Sequence, residues 1–299
     1  MDSRVTNMAV CNLLDGTCNK LPPLELDAYA RHFYHDRRCY AVLTGADCHD
    51  DDGDEHPPPP SFYKVLIVTA GFKTQNNDQK YDLQTFSSGE ESCITRRMHV
   101  HAMGVNVLGW SSCQSDAVVS HGIAHWLFRS KNDQCFFLVN LDCNEHHFSF
   151  TRLPIPMTAY SDHRPCLSLA ADGTLTVLHM EKAGHRLVIW RQEESQRNVG
   201  SSGTTQWINT RTIELIQPRR KETQEITIRC ILGEKCGKLL VKDRCYGRAY
   251  VADLETGAME EVEHWSHVRP GGTPDVVLLE MDWPAFFVSR LAAAAGITS

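Results

Sequence analysis

From Val10 to Val262 the chain alternates short apolar runs with turn residues, and no segment there keeps its apolar residues at helical spacing. That rhythm restricts the chain to β architectures. It is clearest between residues 117 and 156. Val118, Ile123, Trp126 and Phe128 carry one apolar run, Ser130 to Gln134 make a polar turn, Cys135 to Leu141 form a second run, and Phe148, Phe150 and Leu153 alternate after it. Runs of this length, rich in β-branched and aromatic residues and bounded by turn residues, predict two linked strands followed by two more.

The same unit recurs along the chain. A half-unit at Val10 to Leu24 holds two short strands around Asp15 and Gly16 and ends at Pro22 and Pro23. Strands follow at Tyr40 to Thr44, Phe62 to Ala70 and Tyr81 to Phe86. Asp172-Gly173 sits between alternating runs in CLSLAADGTLTVLHM, a strong hairpin signal, and RLVIWRQ follows from Arg186. A last sheet-forming region runs from Trp207 through Ile213 and Leu215 into Ile228 to Asp243 and Ala249 to Val262. Four paired units, near residues 40 to 90, 117 to 156, 166 to 192 and 228 to 262, thus follow the half-unit. Repeats of about 40 to 65 residues, each worth roughly four strands, predict a β-propeller-like repeat of about five four-stranded units within a single domain over residues 1–299. A pair of β-sandwiches is the structural alternative.

Two segments break the pattern. DCHDDDGDEHPPPP, residues 47–60, combines an acidic run with four prolines and is predicted to be a loop, since neither enters a sheet. As a calcium loop starting at Asp50 it would need Gly where Glu55 stands and Glu where Ser61 stands. DWPAFFVSRLAAAAG closes the chain, and Pro284, the alanine run and Gly296 predict a terminal helix over about 284–295. Its Phe286, Phe287, Val288 and Leu291 would then form an apolar stripe, read as core-facing.

Charge and composition narrow the function. A net charge of −7 opposes broad phosphate-backbone binding, so no nucleic-acid partner is expected. No apolar run is long enough to span a bilayer and no export signal is evident, which gives no membrane partner and a cytoplasmic or nuclear location. Twelve irregularly spaced cysteines in a chain of this length read as buried free thiols rather than a disulfide framework. The basic run Pro218 to Lys221 reads as a solvated loop.

No chemical motif emerges. His121 and His125 in HGIAH lie on a predicted strand, with Gly122 where a zinc-protease helix would carry Glu, and are read as structural or surface histidines. His99 and His101, and the cluster Cys143, His146 and His147, lack CxxC partners, so no metal site is assigned. Nucleophile-elbow, phosphate-loop and dinucleotide motifs are missing, so no catalytic residue, no cofactor and no enzyme activity are expected. Trp126 and Trp190 sit within apolar runs and read as core, whereas Trp110, Trp207 and Trp265 lie nearer loops.

Taken in order, VCNLLDGTCNKLPPL at Val10, YDLQTFSSGEES at Tyr81, VVSHGIAHWLF at Val118, LVNLDCNEHHFSFTRLP at Leu138, GTLTVLHM with LVIW from Gly173 to Trp190, ILGEKCGKLLVKD with YVADLETG from Ile231 to Gly257, and DWPAFFVSRL at Asp282 resemble the plant F-box protein family. The resemblance is greatest to the large set found in grasses, and it covers the F-box-associated β-propeller-like region. It implies a substrate-recognition module that binds an unidentified protein target for a cullin ubiquitin ligase. The nine residues before Val10 are too few for the helical F-box, so this chain alone is not expected to bind the Skp-type adaptor. A small-molecule or glycan-binding propeller is the second functional reading.

Overall fold

The computed structural model describes residues 9–11, 18–22, 38–44, 63–73, 79–88, 94–99, 110–112, 117–130, 134–143, 147–155, 165–170, 172–181, 185–193, 206–218, 226, 228–243 and 248–263. Among them there is no helix, and every strand pairs antiparallel, each with a sequence neighbour except the one at Trp110–Ser112, which pairs with the next strand but one.

β1 (Ala9–Cys11) and β2 (Cys18–Lys20) form a two-stranded ribbon. The first sheet takes β3 (Arg38–Thr44), β4 (Tyr63–Lys73), β5 (Gln79–Ser87) and β6 (Ile94–His99) in that order. In the second, β7 (Trp110–Ser112) and β8 (Val118–Ser120) share one edge of β9 (Ile123–Ser130), and β10 (Cys135–Asp142) and β11 (Phe148–Arg152) follow. The third runs β12 (Cys166–Leu169), β13 (Leu175–Glu181), β14 (Arg186–Glu193) and β15 (Gln206–Glu214). The fourth runs β16 (Ile228–Lys235), β17 (Lys238–Asp243), β18 (Ala249–Asp253) and β19 (Met259–Glu261).

The period-two alternation of the strands decides how these sheets stack. Leu66 and Val68 of β4 join Trp126 and Phe128 of β9 and Phe137 and Val139 of β10 in one buried cluster. The intervening positions Leu127, Phe136 and Leu138 point the other way, into a cluster with Leu175, Val177 and Trp207. Leu178 and Met180 of β13 then face Leu239, Val241 and Tyr250 of the fourth sheet. Each middle sheet is therefore apolar on both faces, which explains runs such as CFFLVNL that lack a polar side. The first strands touch in succession, β3 with β8, β8 with β12 and β12 with β16. Four twisted antiparallel sheets stacked this way, with each first strand innermost, form a four-bladed β-propeller.

Four sheets stand among the described residues where the sequence suggests about five units. The half-unit at Val10 to Leu24 is the difference, because among the described residues its strands pair only with each other, in the register Ala9 to Lys20. The ribbon packs beside the first sheet, where Leu21 is buried with Val65, Ile67 and Phe86 and Val10 lies against them. The strand from Trp207 also belongs elsewhere than expected, since β15 pairs with β14 and completes the third sheet. Cys18 is disulfide-bonded, against the expectation of thiols throughout, and in the ribbon register Cys11 stands opposite it. Cys39, Cys135, Cys143 and Cys166 are buried thiols, as the sequence suggests, whereas Cys236 is an exposed one. The acidic and proline-rich segment 47–60 and the terminal helix over about 284–295 lie outside the described residues.

Candidate functional site

The innermost strands β8, β12 and β16 each lead directly into a tight turn, and equivalent strands of stacked blades run in the same sense, so these turns gather at one end of the propeller. His121 and Gly122 join β8 to β9 with φ of 50° and 71°, and Cys236 and Gly237 join β16 to β17 with φ of 48° and 72°. Two-residue loops with both φ positive are type I′ turns, whose twist matches the flanking strands. His and Cys stand where Asn or Asp is usual, in a backbone region uncommon for non-glycine residues. Between them in the ring lies the Asp172-Gly173 turn. The Gly173 N–H donates to the Ala170 carbonyl at 2.9 Å, and the Thr174 N–H to Asp172 Oδ1 at 3.1 Å. Arg191 reaches over from β14 to pair with the Asp172 carboxylate and to donate to Thr174 Oγ1 at 2.9 Å. Hydrogen bonds from Thr174, aided by Arg191, hold the Asp172 carboxyl below its usual range.

Side chains stitch neighbouring turns together. Ser120 Oγ donates to the Gly173 carbonyl at 3.2 Å, linking the second and third sheets. Ser168 Oγ donates to Glu234 Oε2, and Glu234 Oε1 accepts from the Gly237 N–H at 3.0 Å, so one carboxylate fastens the third sheet to the fourth and fixes the Cys236-Gly237 turn. Glu234→Ala is expected to leave the buried Ser168 hydroxyl without its acceptor, at about 1–3 kcal/mol. The check is the urea midpoint, in which Ser168→Ala should add little once Glu234 is gone. Near the same end, Val42 on β3 is half exposed and Leu169, the last residue of β12, is exposed as well. The site thus offers two apolar side chains on rigid strands among fixed turns.

His125 lies buried on β9 with Nδ1 at 2.8 Å from Asn140 Oδ1, while His121 is exposed at its turn. Both sit on one hairpin, so they lack the helical geometry a zinc-protease pair needs. Cys143 is buried with its Sγ donating to the Leu141 carbonyl at 3.6 Å, and His147 is exposed. His101 and His146 lie outside the described residues, as does the side chain of His99. Among the described residues no group of three or more His, Cys, Asp or Glu side chains is placed to hold a metal. Burial, reinforced by Glu234, pushes the Cys166 thiol up to about 12, so it stays protonated and is a poor nucleophile.

Trp126 is fully buried, and its Nε1 donates to the Tyr40 carbonyl at 3.3 Å. Trp207 is buried as well, contrary to its expected place near a loop, because β15 begins at Gln206 and carries it against Leu153 and Ile155. Sequence reasoning placed a Gly-containing turn within Ile228 to Asp243, where Cys236-Gly237 lies, but ran a strand through His121-Gly122, although X-Gly between two strands is the signal of both turns. It also missed the Ser168–Glu234 link, which spans 66 residues and has no local signature. Compared with known proteins, the chain matches no family model and no curated protein.

Proposed function

We propose that the chain is a protein-interaction module that captures its target at the end of the propeller where the His121, Asp172 and Cys236 turns meet, in the manner of the target-binding region of F-box subunits of cullin ubiquitin ligases. The observation that carries this reading is the pairing of exposed Val42 and Leu169, on innermost strands, with turns fastened by Ser120, Ser168 and Glu234. A preorganised surface loses little freedom on association, and exposed apolar side chains on it supply contact area without reorganisation. Arg191, held over the β12–β13 turn, is of the type enriched at binding hot spots. The burial of Trp126 and Trp207 favours this reading over glycan binding, because neither ring offers a stacking face.

A photo-crosslinking residue tests the proposal. Placed at Leu169 it is expected to form adducts with a discrete protein, and Val42→Asp should suppress them. Placed at Ile216, more exposed still but just beyond β15 at the far edge of the third sheet, it should not. Equal labelling at both positions, or none at Leu169, would overturn the assignment.

A further inference from the structure

A histidine held at the junction of two blades, where it can take a second proton only by burying charge, is the feature that carries furthest. His125 faces the third sheet from β9, opposite Val118 on one side and Asn140 on the other. The Asn140 amide nitrogen donates to Ser149 Oγ at 3.1 Å, which leaves Oδ1 as the acceptor for the ring. An amide oxygen cannot donate, so Nδ1 carries the proton of the neutral ring and a second proton must go to Nε2. His125 is only 7% exposed, and a charge there is poorly solvated. Just beyond it the second and third sheets meet through their turns. Ser120 donates to the Gly173 carbonyl, and a Cβ on Gly173 would lie 3.8 Å from His121 Nε2.

Charged and titratable groups surround it on both sheets. His121, from the same hairpin, adds like charge once it is protonated. On β10, Asp142 lies two residues along the face that bears Asn140. From the third sheet, the Asp172 carboxylate is taken up by Thr174 and Arg191, and His179 lies farther along β13 beside Phe136. Arg129 continues the His125 face of β9.

We propose that His125 makes the junction of the second and third sheets an acid-sensitive clasp, in which protonation at Nε2 loosens the His121-Gly122 and Asp172-Gly173 turns before the rest of the propeller opens. Burial holds the ring below its ordinary value against the opposing pull of the Asn140 hydrogen bond, and His121 adds a smaller push in the same direction as burial. A lowered folded value means that the opened state binds the proton more tightly. The stabilisation is therefore complete above about pH 6.5, the open-state value, and is lost as pH falls through the folded value. Within that window the opening equilibrium grows about tenfold per pH unit.

Hydrogen exchange of the whole chain between pH 7 and 5, corrected for intrinsic rates, together with an NMR titration of the His125 ring, tests this. The expected result is a His125 midpoint below 6.5 and a selective loss of protection at residues 121–125 and 173. His125→Asn keeps an N–H for Asn140 near the Nδ1 position and should abolish the acid-dependent step, whatever it costs at pH 7. Protection lost equally in all four sheets, the same acid slope in the variant, or a His125 midpoint at or above 6.5 in the unaltered chain would overturn the proposal.

Discussion

Gly257→Ala is expected to destabilise the protein by roughly 2–6 kcal/mol, through backbone strain and a collision that cannot relax. Gly257 has φ of +76°, and a Cβ there would stand 2.3 Å from the Glu214 carbonyl oxygen and 3.3 Å from Ile213 Cγ2. The nearer atom is backbone, fixed because the neighbouring segment is itself bonded across the blade boundary. The Ile216 N–H donates to the Gly257 carbonyl at 2.8 Å, and the Met259 N–H to the Ile216 carbonyl at 3.0 Å, a short parallel bridge that ties the end of the third sheet to the fourth. Arg211, on the same outer strand, reaches the Glu255 carbonyl at 2.8 Å. Relieving the clash means opening this bridge. Gly237→Ala is the matched control, with φ of +72° and nothing within 4 Å of the added Cβ, so it carries strain alone, roughly 1–2 kcal/mol. Chemical denaturation of both variants checks the claim. A Gly257→Ala loss no larger than that of Gly237→Ala would show that the bridge does not hold the two blades together.

The long central strands were legible in the sequence because each is locally specified, whereas short Trp110–Ser112 was not, and Val118–Ser120 merged with the strand after it. CFFLVNLD and LTVLHME declare themselves by composition, and Asp172-Gly173 marks its hairpin without reference to anything distant. Partnership between strands was less legible. The segment from Gln206 reads as a strand, but nothing local states that it pairs with Arg186–Glu193 rather than with the strands after it. The half-unit near Val10 is the same problem in another form, since two short strands look alike whether they complete a blade or close on themselves. Of the candidate site, the glycines of the turns were visible and the positive φ of His121 and Cys236 is local to each hairpin, whereas the reach of Glu234 to Ser168 arises only when blades stack. Trp207 shows the general cause. Burial depends on what covers a residue, and its cover comes from Leu153 and Ile155, some fifty residues earlier in the chain.

Trp126→Ala is expected to cost roughly 3–5 kcal/mol, the range for removing a large buried aromatic side chain. Its ring is fully buried between the first two sheets with Leu43, Leu66 and Val68 from one side and Phe128 and Phe137 from the other, so truncation opens a cavity where neither sheet can close without moving the other. The indole N–H contributes separately. It donates to the Tyr40 carbonyl, which also accepts from the Ala117 N–H at 2.7 Å, so losing the indole leaves that carbonyl satisfied and removes only the weaker of two bonds. Trp126→Phe should therefore fall well short of the alanine variant, since it keeps much of the ring and strands no acceptor. Because Tyr40 lies on β3 and Ala117 enters β8, both substitutions bear on the contact between innermost strands that sets the first blade against the second. Denaturant midpoints for the two variants decide the matter. An alanine variant no less stable than the phenylalanine one would mean that the first and second sheets are held together by something other than the cluster around Trp126.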